Sequence, residues 1–354
     1  FSSIINFYFF RFLIFLAIDN NKKGSTTNFI KIENITNRVN NHLNKTSTLQ
    51  TNNKSFCDKY CYYKKLGIGI NVNWLTFAWV NNYYFYWKER NVSIPSIFKE
   101  HFNSIRLRIN YDTIEKKTKF EQLKEIVDDC LKENLTVVIS LSGLLLNNDP
   151  TKENALKMTN YRLKIANEFK NYSYLLSYDL ITETGGKLKG KPEILSFYFN
   201  KTINEIRRID KRRILFVSVP NRRKVDFFKL NLSLDNFTLI EIHVLAGGPK
   251  EDYEDYLIDY FKKIKEVENK TKTPIWFGAV RFNKIIKKNK TFYYNLSFEK
   301  EFALFFCRLS RRNNIPFAVN ADTIYFDYKN LKWKNRTNYL KECVKIYKNL
   351  SLAN

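Results

Sequence analysis

Short apolar runs alternate with longer amphipathic segments from Leu66 onward. Eight runs have the length and turn-residue boundaries of buried strands, and five intervening segments repeat apolar residues at helical spacing. The predicted strands cover residues 66–74, 104–110, 135–143, 175–183, 213–219, 238–245, 274–280 and 315–321. The predicted helices cover residues 119–134, 153–170, 193–210, 251–270 and 297–314. Strands and helices in this order predict an α/β fold, a (β/α)8 (TIM) barrel with one parallel sheet.

Two segments of different composition precede the predicted barrel. Residues 4–18 form an apolar run interrupted by Arg11, which is short for a membrane span and closer to a signal-peptide core. We therefore interpret residues 1–19 as a truncated signal peptide or a signal anchor, and expect a stable membrane span only if an anchor stays uncleaved. Residues 20–63 are polar and rich in Asn and Thr, which predicts a linker. The barrel is expected over residues 64–350, as a single, monomeric domain.

The chain carries 60 Lys and Arg against 35 Asp and Glu, a formal net charge of +25. Such a surplus attracts polyanions, but nucleic-acid binders tend to concentrate their charge on one helix or face. Here the basic residues form short, dispersed runs. We expect no nucleic-acid partner, and a basic scaffold protein that binds polyanions remains an alternative.

Asparagine in the sequon Asn-X-Ser/Thr occurs 14 times, against about five expected by chance for this composition. The sites are Asn34, Asn44, Asn53, Asn91, Asn134, Asn171, Asn200, Asn231, Asn236, Asn269, Asn289, Asn295, Asn335 and Asn349. The excess predicts a secreted, extracellular glycoprotein. Asn134 and Asn236 stand at strand entrances, where we expect burial to prevent their use.

Five cysteines are compatible with secretion. Cys57 and Cys61 could pair with each other or with Cys343, and the odd count leaves at least one thiol free. We expect Cys130 and Cys307, which lie in helical patterns, to be reduced core residues. Three histidines without zinc-type spacing predict no metal site, and we expect no cofactor.

The best candidate for chemistry is Glu183, at the end of the fourth predicted strand in SYDLITETGG (177–186). The carboxyl ends of barrel strands face the active-site mouth. A carboxylate there is costly unless it is solvated or used. The seventh strand ends in TPIWFGAVRF (273–282), with Ala279 where a second carboxylate would be expected.

The order of segments resembles glycoside hydrolase family 5, the cellulase-type retaining β-glycanases, over about residues 64–348. GIGINVNWL (67–75) is similar to the first-strand pattern Gly-X-Asn…Asn-Trp-Leu, and IRLRI (105–109) to the second-strand Val-Arg-Ile-Pro-Val. YDLITET (178–184) is similar to the segment Tyr-Glu-…-Asn-Glu-Pro, and EIHVL (241–245) to the sixth-strand His-X-Tyr.

This resemblance implies roles for three residues. Glu183 would be the counterpart of the general acid/base, Arg106 would orient the nucleophile, and His243 would be the active-site histidine. Two alternatives stay open: Arg106 or its neighbour Arg108 could pair only with a carboxylate inside the barrel, and His243 could be a core histidine.

Substrate contacts are expected around the same mouth. Asn71 and the aromatic loop at residues 73–87, with Trp74 and Trp79, could line sugar subsites, because aromatic faces suit sugar rings. The alternative for this loop is a helix packed on the barrel, and Asn71 could simply cap its strand. Two further substrate positions depart from the family pattern: Thr182 replaces an Asn, and Asn320 lies near the position of a platform Trp.

Ala279 replaces the nucleophile Glu of the family. Retaining hydrolysis needs two carboxyl groups about 5 Å apart, and alanine cannot attack the sugar. The sequence therefore predicts a protein that acts on or binds β-linked polysaccharide or oligosaccharide with lost or reduced hydrolysis. An active β-glycanase with a relocated carboxylate, Glu241 or Asp322, is the alternative; an inverting arrangement would place it roughly 6.5–9.5 Å from Glu183.

Overall fold

The computed structural model describes residues 57–219, 229–245, 253–287, 290–293 and 295–349. Eight parallel strands close into a barrel in the order β1-β10-β7-β6-β5-β4-β3-β2. These strands are β1 Ile68–Val72, β2 Ser104–Ile109, β3 Thr136–Ser142, β4 Leu176–Thr182, β5 Leu215–Ser218, β6 Thr238–Leu245, β7 Ile275–Arg281 and β10 Phe317–Asn320. The predicted (β/α)8 barrel is confirmed, and each predicted strand corresponds to one strand of the barrel.

The five predicted helices are present, each within two residues of its expected bounds. They are α5 Lys117–Lys132, α7 Lys152–Phe169, α8 Pro192–Ile209, α9 Tyr253–Thr271 and α10 Leu296–Arg312. Helix α2, Ala78–Glu89, lies in the aromatic loop, for which a packed helix was the alternative. Helices that the pattern did not predict are α1 Lys59–Leu66, α3 Ile94–Lys99, α4 Tyr111–Glu115, α6 Leu144–Asn148, α11 Asp322–Tyr325 and α12 Asn338–Asn349. Two small antiparallel pairs were also missed, β8 Lys284–Lys287 with β9 Lys290–Tyr293, and β11 Phe326–Asp327 with β12 Lys332–Trp333.

Side-chain alternation along the strands produces two apolar layers. Ile105 and Leu107 belong to the large cluster that also contains the buried helix residues, such as Phe302 and Phe306 of α10. A smaller cluster, which includes Phe216, contains the residues that fill the amino end of the barrel interior. Because both faces of the sheet are covered, the strands are buried almost throughout.

Helix α1 closes the amino end of the barrel. Asp58 caps it by accepting from the backbone N–H groups of Tyr60 and Cys61. The Tyr62 hydroxyl is buried and donates to Ser177 Oγ at 2.5 Å. The predicted linker over residues 20–63 therefore ends in an ordered helix, and its part before residue 57 lies outside the described residues, as does the apolar segment at residues 1–19. Within the described ranges, no helix is long and apolar enough to cross a membrane.

Two disulfides form, one of them against expectation. Cys57 pairs with Cys61 beside α1, and Cys307 pairs with Cys343, joining α10 to α12. The expectation of a reduced Cys307 was wrong because helix α12, which the pattern did not predict, packs against α10. Cys130 is free and buried, as expected.

The expected burial of two sequon asparagines was also wrong. Asn134 and Asn236 are both exposed. Asn134 follows the last turn of α5 in the left-handed region, with φ 56°, and its backbone N–H donates to the Leu131 carbonyl at 3.0 Å. The chain turns at these positions before it enters the sheet, so only the residues that follow are buried.

Candidate active site

The structure places Glu183 directly after β4, at the carboxyl end of the barrel. Its φ of 57° lies in the left-handed region, which non-glycine residues rarely adopt. Asn147 supports this conformation: its amide donates to the Glu183 carbonyl at 2.7 Å, and its Oδ1 accepts from the Gly185 N–H at 2.8 Å. The Glu183 side chain is 31% exposed. It is thus held in place and still open to solvent.

Glu183 lines a cleft of about 250 Å³ at the barrel mouth. The cleft is formed by the carboxyl ends of strands β2 to β4 and by the segments that follow the first four strands. Its lining residues are Asn73, Thr76, Phe77, Arg108, Ile109, Asn110, Ser142, Gly143, Leu144, Asn147, Thr182 and Glu183. The cavity is open and mixed in character, with two charged side chains among amides, hydroxyls and apolar groups.

Beneath the cleft, Arg106 lies in a fully buried ion-pair network. Its Nη2 is 2.5 Å from Asp179 Oδ2 and 3.2 Å from Glu241 Oε1. Its Nη1 donates to Asn71 Oδ1 at 2.8 Å. Asn71 is completely buried and donates to the Gly278 carbonyl at 2.9 Å. Arg106 therefore has carboxylate partners inside the barrel, the alternative that the sequence left open, and Asn71 orients it from below the cleft.

Glu241 occupies the space between Arg106 and His243. Its Oε1 is 2.6 Å from His243 Nε2, and its Oε2 accepts from Ser218 Oγ at 2.9 Å. A Cβ at residue 278 would lie 2.1 Å from Glu241 Oε1, so this arrangement requires Gly278. Burial opposes ionisation of Glu241, but His243 and Arg106 outweigh burial and hold its pKa below the usual value.

His243 stands between Glu241 and the candidate acid/base. Its Nδ1 is 3.6 Å from Glu183 Oε1. Burial disfavours the imidazolium, but the two glutamates outweigh burial, and the pKa of His243 lies above its usual 6.5. The histidine thus carries positive charge at mildly acidic pH and links the buried network to the solvent-facing Glu183.

Ala279 is the neighbour of His243 across the β6–β7 pair. Paired residues of neighbouring parallel strands point to the same side of the sheet, and His243 points into the barrel. Ala279 therefore presents only a methyl group beside His243, where the family resemblance expects a nucleophile.

The two possible replacement carboxylates are both buried and engaged. Glu241 has 2% of its side chain exposed, and Asp322 is completely buried. Asp322 accepts from the Asn73 backbone N–H at 3.2 Å, from Asn73 Nδ2 at 2.9 Å and from the Tyr328 hydroxyl at 2.5 Å. Burial raises the pKa of Asp322 against these hydrogen bonds. Neither carboxylate is among the described residues that line the cleft.

The predicted sugar contacts divide into buried and exposed residues. Trp74 is completely buried, packs against Tyr84 and Phe98, and donates from Nε1 to the Tyr328 hydroxyl at 2.6 Å. Its ring is therefore covered by protein. Trp79 is 51% exposed in the first turn of α2. Most of the aromatic loop is thus the packed helix considered above as the alternative, and Trp79 is still open to solvent.

Thr182 and Asn320 are buried at the ends of their strands, each 6% exposed. The Thr182 hydroxyl contacts the Ser140 hydroxyl, and Thr182 lines the cleft. Asn320 Oδ1 is buried without a hydrogen-bond partner in the described part of the chain. Of the two, Thr182 is among the described residues that line the cleft, and Asn320 is not.

Three residues of the site escaped the sequence reasoning or received no role there. Asp179 is the principal partner of Arg106, Asn147 supports the Glu183 backbone, and Arg108 lines the cleft. Burial lowers the pKa of Arg108, and Glu183 opposes that change. Asp179 and Arg108 could have been found from strand alternation, since each lies two residues from another inward-facing position; Asn147 carried no such signal.

This (β/α)8 barrel places a glutamate at the carboxyl end of β4, above an Arg–His network, which is where barrel enzymes carry their active sites. The sequence profile described as Cellulase (glycosyl hydrolase family 5) matches residues 63–228. Over these residues, just under half of its length, the chain is similar to glycosyl hydrolase family 5. No curated protein matches it.

Solved structures with the same fold include several endoglucanases. Endoglucanase Cel5A from the hyperthermophilic Thermotoga maritima is 21% identical, with a TM-score of 0.67, covering 81% of this chain and 99% of that one. The cellulose synthase subunit Z from Clostridioides difficile is 17% identical, with a TM-score of 0.64, covering 79% and 99%. A hyperthermophilic endo-β-1,4-glucanase in complex with substrate is 18% identical, with a TM-score of 0.66, covering 80% and 99%.

Proposed function

We propose that this protein is secreted and binds β-linked polysaccharides of the kind that cellulases and glucanases hydrolyse. Its own hydrolytic activity is lost or much reduced. The observation that carries the proposal is Ala279 beside His243 in a barrel that keeps Glu183 at the mouth. A retaining glycosidase needs a second carboxyl group about 5 Å from its acid/base, and a methyl group cannot replace it.

The open cleft supports binding as the retained function. Thermotoga maritima Cel5A is described in complex with mannotriose and with cellobiose, which makes a β-linked oligosaccharide the ligand class that we infer. Phe77, which lines the cleft and is 44% exposed, and the nearby Trp79 offer apolar rings for sugar stacking. An open mouth argues against a barrel used only as a polycationic scaffold.

The state of the other carboxylates supports the loss of hydrolysis. Glu241 is neutralised by Arg106 and His243, and Asp322 is surrounded by hydrogen-bond donors. Both would have to leave these partners to serve as a base or nucleophile, and for Glu241 breaking a buried ion pair costs about 3–5 kcal/mol. The two disulfides agree with a secreted protein.

Affinity electrophoresis tests the binding proposal. Purified protein is run through gels that contain β-1,3-glucan, β-1,4-glucan or mannan, and retardation is expected in at least one. Trp79→Ala should weaken that retardation about tenfold, as expected for loss of roughly 1.4 kcal/mol of ring stacking. Tyr60→Ala is the matched control, because Tyr60 is 52% exposed on α1 at the opposite end of the barrel. Migration unchanged in every gel, or equal effects of the two variants, would refute the proposal.

A further inference from the structure

We propose that the amino end of the barrel carries N-linked oligosaccharides at Asn134, Asn171, Asn236 and Asn269, so that the cleft at the carboxyl end stays uncovered. The proposal concerns modification, and it stands or falls independently of glucan binding. It follows from where the sequons lie in the fold.

These four asparagines occupy equivalent places in the barrel. Asn134 precedes β3, Asn171 precedes β4, Asn236 precedes β6, and Asn269 lies in the last turn of α9 before β7. All strands of the barrel are parallel, so the loops that enter them lie together at its amino end. The four sites therefore lie around the end that helix α1 closes.

The side chains of the four sites are available for modification. Each of the four residues is exposed. Within the described ranges, none of their side-chain amides takes part in a hydrogen bond. A sugar attached at such a position extends into solvent and displaces no packed group, so the folded barrel can accommodate it.

The asparagines that line the cleft, in contrast, are not part of sequons. Asn73, Asn110 and Asn147 are each followed two positions later by a residue other than Ser or Thr, so none is a sequon. The other described sequons also lie outside the cleft lining, at Asn91, Asn200, Asn231, Asn295 and Asn335. Sequons are thus abundant in this chain and absent from the described cleft lining.

N-glycosylation requires a donor in which the oligosaccharide is linked to a polyprenyl diphosphate. The Asn Nδ2 attacks the anomeric carbon of the sugar, the bond from that carbon to the phosphate oxygen breaks, and the amide loses one proton. The polyprenyl diphosphate leaves, and the hydroxyl of the residue at position +2 completes the recognised motif. The oxidising secretory compartment that supplies this reaction also favours the Cys57–Cys61 and Cys307–Cys343 disulfides.

Peptide mass mapping tests the proposal on the full chain, expressed behind a secretion signal in a eukaryotic host. Enzymatic deglycosylation in ¹⁸O-water converts each occupied Asn to labelled Asp, and we expect the label at all four positions. On a denaturing gel, each attached oligosaccharide raises the apparent mass of the protein. A variant with the four Asn→Gln changes should therefore lose four such increments of apparent mass. Asn167→Gln, which alters an exposed asparagine of α7 that is no sequon, should lose none.

A secreted, folded protein in which these four asparagines remain unlabelled would overturn the proposal. Because the mapping uses wild-type protein, poor secretion of a variant would not prevent the test. Because it involves no glucan, its outcome is separate from that of the binding experiment.

Discussion

Arg106 is the cation between two buried carboxylates, and replacing it is the sharpest test of the buried network. Arg106→Met keeps the volume of the side chain and removes its charge. It leaves Asp179 and Glu241 close together, with His243 beside Glu241 and Arg162 near Asp179 as the neighbouring cations. Removing one partner of a buried ion pair costs about 3–5 kcal/mol, because the other partner stays buried and uncompensated. The folding equilibrium constant should therefore fall by a factor of roughly 150 to 5,000.

The loss of folding stability in Arg106→Met should depend on pH in a defined direction. In the wild type, the lowered pKa of Glu241 means that its stabilisation is present above its usual value of 4.5 and is lost as the pH falls through the folded-state pKa. In Arg106→Met, the buried carboxylates should bind protons more readily, which relieves their repulsion. The difference between wild type and variant should thus be larger near about pH 8 than near about pH 5.

Urea unfolding followed by tryptophan fluorescence at both pH values measures this difference. Arg90→Met is the control, because Arg90 is an exposed arginine stacked on Tyr86, and its midpoint should stay close to that of the wild type. A loss below about 1 kcal/mol for Arg106→Met would show that the network contributes little. A loss of equal size at both pH values would refute the electrostatic explanation.

Three further predictions follow from neighbouring features. His243→Gln should destabilise the protein below pH 6.5, because the pKa of His243 is raised in the folded state, and this difference should vanish as the pH rises through that pKa; unfolding at about pH 5.5 and 8.5 measures it. Replacing Cys307 and Cys343 by Ala should cost about 4 kcal/mol for a separation of 36 residues, measured by urea unfolding. Gly278→Ala should cost about 1–3 kcal/mol through its clash with a buried carboxylate, read from the shift of the thermal midpoint.

Matched controls separate these effects from general sensitivity. Opening the Cys57–Cys61 disulfide, with a separation of 4, should cost about 2 kcal/mol, roughly half the loss expected for the longer loop. Gly190→Ala adds a methyl group with no atom within 4 Å and should leave the thermal midpoint nearly unchanged. Equal losses in both members of either pair would contradict the reasoning.

The barrel could be predicted because local pattern and tertiary structure agree. Its strands are short apolar runs that are buried on both faces, and its main helices carry an apolar stripe, as in Phe298, Phe302 and Phe306 of α10. These signals lie within single segments. Glu183 could be located for the same reason, since the end of a barrel strand is a position that the fold assigns to the mouth.

The partners inside the barrel could not be read from single segments. Asp179 looked like one polar residue in an apolar strand, and only the closed barrel brings it to Arg106, 73 positions earlier. Cys307 meets Cys343 because α12 returns to pack on α10. Trp74 sits in a motif typical of a sugar site, yet neighbouring rings cover it. Each of these outcomes depends on contacts between distant segments.

Sugar release tests the central claim, lost or much reduced hydrolysis, most directly. Purified wild-type protein and Glu183→Gln are incubated side by side with β-1,3-glucan, β-1,4-glucan and mannan, and new reducing ends are measured. We predict that the wild type releases no more sugar than the variant, because Ala279 supplies no nucleophile. Release by the wild type that Glu183→Gln abolishes would contradict the account and show that another carboxylate completes the site.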